Sequence, residues 1–576
     1  MKDLDLVPIF FDHNSLDIET LTFYPHSKSM ENTKVMRPYH WNDRKKLLRD
    51  YHYIFKLYEE YLIEITDSLN LIHKIDRPVD YWRIIIGPWL HYFISISFDR
   101  YETIRLASKN YNIKSTELPS YDIKDWIPST YVEFNHQYYS DEWNSYLFSE
   151  IIKNTNLINT RESKFQIKPK PYILKKIKGS FIKSLLFFLT RITRNFRKKV
   201  LMIEVDIPQV SLYKILLKLK SFALSYYLRI VPNRFAVNID IRNDIFKFKE
   251  ATNEFEKLLN ILIPLNMPTS HVEGFKEIQE QSEKIFPQKV DLVITSNAYF
   301  SNEHFKVWIA NQKQNFTKLW VMVHGGHHGT ALFNGPGKLT EDMADRFYAW
   351  GWGNYNLPSP KLSSLNKKKL SQTGNNILFI PYNISQYSNH LDSSPIAASF
   401  EDCLKMHNKF FECLKKIELE KKLVIRLKSG IIPRDLKKEY SQSSGLKNFV
   451  YSDEESLFES INKSELVIVT YDSTFFLESL TLNRPTCLFI RKDFWEMSEE
   501  SEPYFKKFLE CGILHYDEQS LTNHILTVHH DYLSWWQSDM VQSSIDSFLS
   551  KFGLCNELWE EDWYNEINSY LEKFPK

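Results

Sequence analysis

Residues 464–489 constrain the fold more than any other part of this 576-residue chain. Residues 466–470 are a short apolar run rich in β-branched side chains, which is typical of a strand buried on both faces. Polar residues 471–474 can cap a helix, and residues 475–480 give that helix an apolar face. A second buried run follows at residues 486–490. The segment therefore predicts a strand, a turn, a helix and a second strand of a parallel sheet.

Such a unit presents free backbone N–H groups and a helix dipole at the carboxyl edge of the sheet, where phosphates of nucleotides bind. We predict that Ser473 and Thr474 bind phosphate; the alternative is that they only cap the helix. Asp472 is a candidate catalytic residue or an N-cap. Glu478 lies seven residues before Pro485, a spacing that resembles that of nucleotide-sugar transferases whose carboxylate accepts ribose hydroxyls. Its alternative role is that of an ordinary helix carboxylate.

Composition and charge limit the classes of protein to which this chain can belong. The length predicts roughly two to four domains. The formal net charge of +1 gives no global field that would attract nucleic acid, so we expect no nucleic-acid partner. Five cysteines without a Cys-x-x-Cys pair argue against a disulfide framework and a zinc knuckle, and favour a reducing compartment. The N-terminus lacks the features of a signal peptide, and polar residues interrupt the longest apolar stretch, so the sequence predicts a cytoplasmic protein.

Strands and helices alternate through the second half of the chain. Residues 290–295 and 318–323 are predicted parallel strands joined by a helix, and residues 376–381 and 422–428 begin a further sheet. Helical periodicity dominates residues 41–108, and the chain is helical and aromatic after residue 521. The predicted fold class is therefore α/β, with a helical, aromatic-rich N-terminal elaboration and C-terminal helices.

Residues 163–203 contain twelve Lys and Arg side chains and no acidic residue. We interpret them as a basic amphipathic helix that lies on an anionic membrane surface or holds an anionic lipid-linked acceptor. The alternative is a solvated basic helix whose apolar side packs into the domain. In the first case, in which the segment lies on the membrane, the protein would be cytoplasmic and peripheral on the inner face of the membrane.

Sequence motifs that recur in one order along almost the whole chain carry a resemblance to a known family. They are residues 38–44, 81–90, 98–100, 324–326, 345–352, 474–485 and 531–536. The chain resembles the surface-polysaccharide transferases first catalogued in leptospiral O-antigen gene clusters. The resemblance implies two Rossmann-like domains of the GT-B kind and a role in O-antigen or capsule assembly.

Residues 358–373 read as a linker from their Pro, Ser, Asn and Lys content, and with the resemblance they suggest a division of the chain. Residues 1–357 would form an acceptor-side Rossmann-like domain with helical insertions, and residues 358–373 a linker. Residues 374–520 would form the domain that binds a nucleotide sugar, and residues 521–576 C-terminal helices that pack back across both domains.

His324 ends a predicted strand and is followed by Gly325 and Gly326, which let backbone approach a donor closely. We predict that His324 is a general base or a donor to phosphate; otherwise it anchors the turn. Arg426 and Lys428 alternate at a strand end and could stabilise a departing phosphate, or form surface salt bridges. His327 and His328 have no ligand-type residue at metal-binding spacing, so we expect neither a metal nor a cofactor.

Polar residues of the N-terminal region mix with aromatic ones, as they do in sugar sites. We predict acceptor binding by His40, Asp43, Arg44 and Arg83, although such residues also build cores and hold helices together. The predicted activity is transfer of a sugar from a nucleotide-activated donor to a glycan or lipid-linked acceptor. A CMP-activated ulosonic acid is one donor suggested by analogy. The alternatives are a CDP-alditol transferase of the teichoic-acid type and a non-enzymatic, membrane-docked scaffold.

Overall fold

A computed structural model describes residues 4–6, 20–23, 33–170, 197–221, 234–366, 368, 370, 374–427, 434–443, 449–454 and 456–573. Strands in this part of the chain form three sheets, and every strand pair in them is parallel. The strands are β1 Leu4–Leu6, β2 Thr20–Thr22, β3 Thr33–Val35, β4 Ile113–Ser120, β5 Thr160–Gln166, β6 Lys198–Ile203, β7 Val290–Thr295, β8 Lys318–Met322, β9 Arg346–Ala349, β10 Tyr355–Asn356, β11 Asn376–Ile380, β12 Leu423–Ile425, β13 Val450–Tyr451, β14 Ser464–Val469, β15 Thr486–Phe489 and β16 Leu514–His515.

The helices alternate with these strands from the N-terminal region onwards. They are α1 Arg44–His73, α2 Val79–Asn110, α3 Tyr131–Gln137, α4 Asp141–Thr155, α5 Gln209–Lys218, α6 Ile239–Ile245, α7 Glu254–Asn266, α8 Phe275–Ile285, α9 Ala298–Ser301, α10 Glu303–Lys313, α11 His327–Thr330, α12 Gly335–Met343, α13 Pro360–Asn366, α14 Phe400–Lys416, α15 Leu436–Ser443, α16 Leu457–Asn462, α17 Thr474–Thr481, α18 Glu502–Glu510, α19 Glu518–Val528, α20 Tyr532–Trp536, α21 Asp539–Phe552 and α22 Trp559–Glu572.

The C-terminal sheet, β11 to β16, has the strand order β13-β12-β11-β14-β15-β16. Numbered from its first strand this is 3-2-1-4-5-6, the order of doubly wound Rossmann folds, and it brings the ends of β11 and β14 together at its centre. Its strands read as near-continuous apolar runs because helices cover both faces. The predicted strand–turn–helix–strand unit is confirmed as β14, α17 and β15.

The middle sheet, β6 to β10, has its strands in sequential order. Alternate side chains divide between its two faces. Leu201, Val293 and Leu319 belong to a core that includes α2, α8 and α10. The opposite face, with Met202 and Trp320, belongs to a core that includes α5 and the last helix, α22. The predicted α/β fold with Rossmann-like domains is thus confirmed by two parallel sheets.

The N-terminal sheet, β1 to β5, was not predicted from the sequence. Its order is β3-β2-β1-β4-β5. The predicted helices of this region are present as α1 and α2, but three of the five strands have only three residues each. Such strands are too short for an alternating pattern to be recognised.

A buried polar network fixes α2 against the start of α1. Asp99 is fully buried and accepts hydrogen bonds from Tyr39 and from His40 Nε2, the latter at 2.8 Å. Its other oxygen pairs with Arg100, whose guanidinium also donates to Asn144 at 2.8 and 3.0 Å. Burial opposes the charge on Asp99, yet the neighbouring cation of Arg100 and the hydrogen bond from His40 hold its pKa below the ordinary value.

Two predicted segments differ from the structure. The basic segment 163–203 begins within β5 and ends as β6, so its ends are strands; residues 171–196 lie outside the described residues. The segment 358–373 contains α13, so it is not an extended linker throughout its length. The other predicted domain boundaries stay predictions. Among the helices that the structure describes, none has the length and apolar character needed to cross a bilayer.

Candidate functional site

The carboxyl ends of the middle and C-terminal sheets meet at a cavity of about 290 Å³. We call this cavity the interdomain cleft; it is lined by Asp206, His324, Trp350, Lys361, Tyr471, Ser473, Thr474 and Phe475. Asp206 follows β6 and His324 follows β8, while Trp350 follows β9 and Tyr471 follows β14. Parallel strands therefore deliver side chains from both sheets to one place, which is where ligands of open α/β sheets bind.

His324 and Asp206 form the ionisable pair of this cleft. The Asp206 carboxylate contacts His324 Nδ1, and the His324 side chain is 54% exposed. Because Nδ1 is engaged by the carboxylate, Nε2 is the ring nitrogen that can exchange a proton with a ligand. The arrangement is that of a histidine base oriented by an acid.

The glycine turn after His324 packs directly on the start of α17. The Gly326 N–H donates to the Thr474 hydroxyl at 3.3 Å. A Cβ atom on Gly326 would lie 2.5 Å from Leu477 Cδ1 and 3.3 Å from the Ser473 backbone, whereas one on Gly325 would meet only His328 at 3.5 Å or more. Gly326 is therefore required for close approach of the two domains, and Gly325 is not.

The N-terminus of α17 forms the opposite wall of the cleft. The Ser473 side chain accepts a hydrogen bond from the Phe475 N–H at 3.2 Å, so it caps the helix as well as lining the cleft. Thr474 lines the cleft and holds the glycine turn through its hydroxyl. The helix dipole adds partial positive charge at this wall.

Lys361 and Glu478 form an ion pair at the edge of the cleft. Lys361 Nζ lies 2.5 Å from Glu478 Oε1. The lysine side chain is half-exposed and lines the cleft, while the glutamate is nearly buried one turn into α17. Lys361 thus brings a cation to the wall that Ser473 and Thr474 form.

Asp472 lies behind the cleft rather than in its lining. It is buried, accepts a hydrogen bond from the Thr330 hydroxyl, and places Oδ2 3.5 Å from His327 Nδ1. Burial opposes protonation of His327, but the Asp472 carboxylate raises its pKa above the ordinary value. Burial and the charge of His327 lower the pKa of His328 to about 4. Asp472 therefore joins the turn of one domain to the other.

Arg426, a further predicted donor-binding residue, is not among the residues that line the cleft. The Arg426 guanidinium donates to the Glu454 carbonyl and to the Ser460 hydroxyl, each at 2.8 Å. Arg426 therefore contacts residues of its own domain at the end of the C-terminal sheet. Lys428 lies outside the described residues.

The predicted acceptor-binding residues all contact other parts of the protein. His40 is buried against Asp99, and Asp43 caps α1 by accepting from the Lys46 N–H at 3.0 Å. Arg83 binds the Glu59 carboxylate with two hydrogen bonds, at 2.5 and 2.8 Å.

The Arg44 guanidinium binds the Glu496 carboxylate with two hydrogen bonds, at 2.6 and 2.8 Å. Arg44 therefore joins the start of α1 to the loop after β15. None of the four lines the interdomain cleft as the structure describes it.

Sequence reasoning gave five lining residues of the cleft no role in the site: Asp206, Trp350, Lys361, Tyr471 and Phe475. Asp206 follows the buried run 200–203, so an acidic residue just past a strand end was the available signal. The basic composition of residues 163–203 hid that strand. Pro360 marks the first position of α13, a common helix start, and would have placed Lys361 in a first turn.

Replacing Gly326 by Ala tests the close contact between the domains. The added methyl group collides with Leu477, so we expect a loss of about 1–3 kcal/mol in the free energy of unfolding. Gly325→Ala is the matched control, because its methyl group meets ordinary van der Waals contacts. Urea unfolding followed by circular dichroism measures both variants. Equal stability of the two variants would contradict the proposed packing.

Comparison with known proteins places the chain in a family. No curated protein matches it. Among solved structures, a UDP-N-acetylglucosamine 2-epimerase from Listeria monocytogenes is 13% identical, with 66% of this chain and 98% of that chain covered and a TM-score of 0.36. MurG from Acinetobacter baumannii is 11% identical, with 66% and 100% covered and a TM-score of 0.30.

A UDP-forming trehalose-phosphate synthase from Burkholderia xenovorans is 7% identical, with 54% and 81% covered and a TM-score of 0.33. Similarities this low establish neither a shared activity nor a shared ligand. The LIC12162 family transferase model, in contrast, matches residues 21–567, nearly the whole chain. The predicted family and the predicted transferase class are therefore confirmed, and the protein belongs to the LIC12162 family of transferases.

Proposed function

We propose that this transferase is a glycosyltransferase that moves a sugar from a nucleotide-activated donor to a glycan or lipid-linked acceptor. Its biological role would be assembly of bacterial surface polysaccharide such as O-antigen or capsule. One observation carries the proposal: the His324–Asp206 pair of one sheet faces the α17 N-terminus and Lys361 across a single cleft.

The donor phosphates would bind at the start of α17. Backbone N–H groups and the helix dipole favour anions there, and the Ser473 and Thr474 hydroxyls add hydrogen-bond donors. Lys361 would neutralise the charge that grows on the departing nucleotide phosphate. Glu478 stays a candidate for the ribose hydroxyls, which requires that it share its carboxylate with Lys361.

His324 would act as the general base. Its Nε2 would take the proton from an acceptor hydroxyl as that oxygen attacks the anomeric carbon and the bond to the nucleotide phosphate breaks. Asp206 would stabilise the imidazolium that forms. Asp472, which we had predicted to be catalytic, has the contacts of a positioning residue, because it holds Thr330 and His327 of the turn.

A donor panel tests the proposed reaction. Incubation with CMP-, UDP- and GDP-sugars should release the free nucleotide from one class, and an acceptor extract should increase that release. CDP-ribitol and CDP-glycerol form the comparison arm, because a polyol-phosphate transferase would share this cleft but turn over only these. Turnover confined to the alditol donors would replace the sugar assignment. No turnover with any donor, together with no thermal shift by any nucleotide, would favour a scaffold.

Substitution of His324 tests the base. His324→Ala should lower kcat by about 10²–10⁴-fold with little change in nucleotide affinity, because proton transfer is lost while phosphate binding remains. Asp206→Asn should lower kcat less, since the ring stays but loses its charged partner. His52→Ala, an exposed histidine on α1, is the control. Initial rates at saturating donor measure the effect, and an unchanged kcat in His324→Ala would remove His324 from the mechanism.

We further propose that residues 163–203 hold the enzyme on an anionic membrane surface. The basic side chains that lie between β5 and β6 in the sequence would contact phospholipid headgroups. Liposome flotation should recover the full chain with anionic vesicles and not with neutral ones. Replacing Lys175, Lys176, Lys178 and Lys183 by Gln should reduce recovery with the anionic vesicles. Equal recovery with both vesicle types would contradict membrane attraction by charge.

A further inference from the structure

A cysteine and two histidines meet at one edge of the C-terminal sheet, apart from the cleft lining. Cys487 lies on β15, His515 on the edge strand β16 and His524 on α19. One potential ligand atom from each lies within 4.8 Å of the other two. Cys487 and His515 are buried, and His524 is partly buried. Within the described part of the chain, this is the one such group of three or more.

Thiolate and imidazole are the ligands that zinc prefers in proteins. Zinc holds sulfur at about 2.3 Å and nitrogen at about 2.0–2.1 Å, so in its tetrahedral geometry two ligand atoms lie about 3.4–3.6 Å apart. The 4.8 Å bound on the cluster exceeds this separation, so metal binding requires the three side chains to move closer to the ion.

One histidine of the cluster has a nitrogen that can bind a metal directly, and the other must exchange a hydrogen bond. His524 Nε2 is buried and has no hydrogen-bond partner among the described residues. The two nitrogens of His515 contact the Ser520 hydroxyl and the Gly512 carbonyl, each at 2.9 Å. A histidine that binds a metal normally keeps one such contact on its second nitrogen, and this contact orients the ring.

Gly512 is the backbone centre of the cluster. It has a φ of +79°, and a Cβ there would lie 2.5 Å from the His524 ring. Its carbonyl accepts from His515 and lies 3.8 Å from Cys487 Sγ. Glycine therefore suits both the positive φ and the close approach of this turn to His524.

We propose that Cys487, His515 and His524 bind one Zn²⁺ ion that fastens β16 and α19 to β15. The Cys487 thiol gives its proton to solvent as the sulfur–zinc bond forms, and one hydrogen bond of His515 is exchanged for a nitrogen–zinc bond. Water or the Gly512 carbonyl completes the fourth position. The ion has a structural role, because none of its ligands lines the interdomain cleft.

Cobalt titration of the full chain, with any affinity tag removed, tests this site. Chelator-treated protein should bind one equivalent of Co²⁺ and develop a thiolate-to-cobalt charge-transfer band, which Zn²⁺ then abolishes. Added Zn²⁺ should also raise Tm. Cys487→Ser should abolish the charge-transfer band, and His524→Ala should lower the affinity for Co²⁺ at least tenfold.

The controls are a buried cysteine and a buried histidine of the same domain that lie outside the cluster. Cys403→Ser and His407→Ala should keep one equivalent of cobalt and the band. His524→Ala keeps the test decisive if Cys487→Ser does not fold, because His524 is only partly buried. Absence of stoichiometric binding to the wild type, or binding unchanged in His524→Ala, would overturn the proposal. Both readouts are independent of glycosyl transfer.

Discussion

The contact between the glycine turn and α17 is the constraint on which the site depends. Gly326 lets the end of β8 reach the Ser473 backbone, and the same contact sets His324 opposite the helix N-terminus. A larger residue at position 326 would separate the two walls of the cleft. The histidine–acid pair and the wall formed by the α17 N-terminus each belong to one sheet, but this packing sets the distance between them.

The C-terminal sheet could be predicted because its strands are buried on both faces. Residues 466–470 and 486–490 read as apolar runs bounded by polar or turn residues, and their spacing allowed only a short helix between them. The N-terminal sheet could not be predicted. Its strand β2 has three residues, and the pairing of β1 with β4 joins chain segments far apart in sequence. Long α1 and α2 dominate the local pattern there.

Three of the predicted site residues could be brought together from local sequence alone. His324, Ser473 and Thr474 each follow a strand, and the structure brings them to one cleft. Asp206 and Lys361 were missed because their neighbours suggested a basic surface segment and a linker. The residue types of His40 and Arg83 resemble those found in sugar sites. Their burial and their hydrogen-bond partners arise from tertiary packing, which the local sequence does not reveal.

The contacts of Arg44 limit how the domains can move relative to one another. Its guanidinium binds Glu496 with two charge-assisted hydrogen bonds and also donates to the Ser394 carbonyl at 3.1 Å, so this latch holds the start of α1 to the C-terminal domain. Any hinge motion that widens the gap between the Rossmann domains must either carry α1 along with the C-terminal sheet or release this latch. The N-terminal region therefore bridges the two Rossmann-like domains, because α2 shares the core of the middle sheet while Arg44 binds the C-terminal domain.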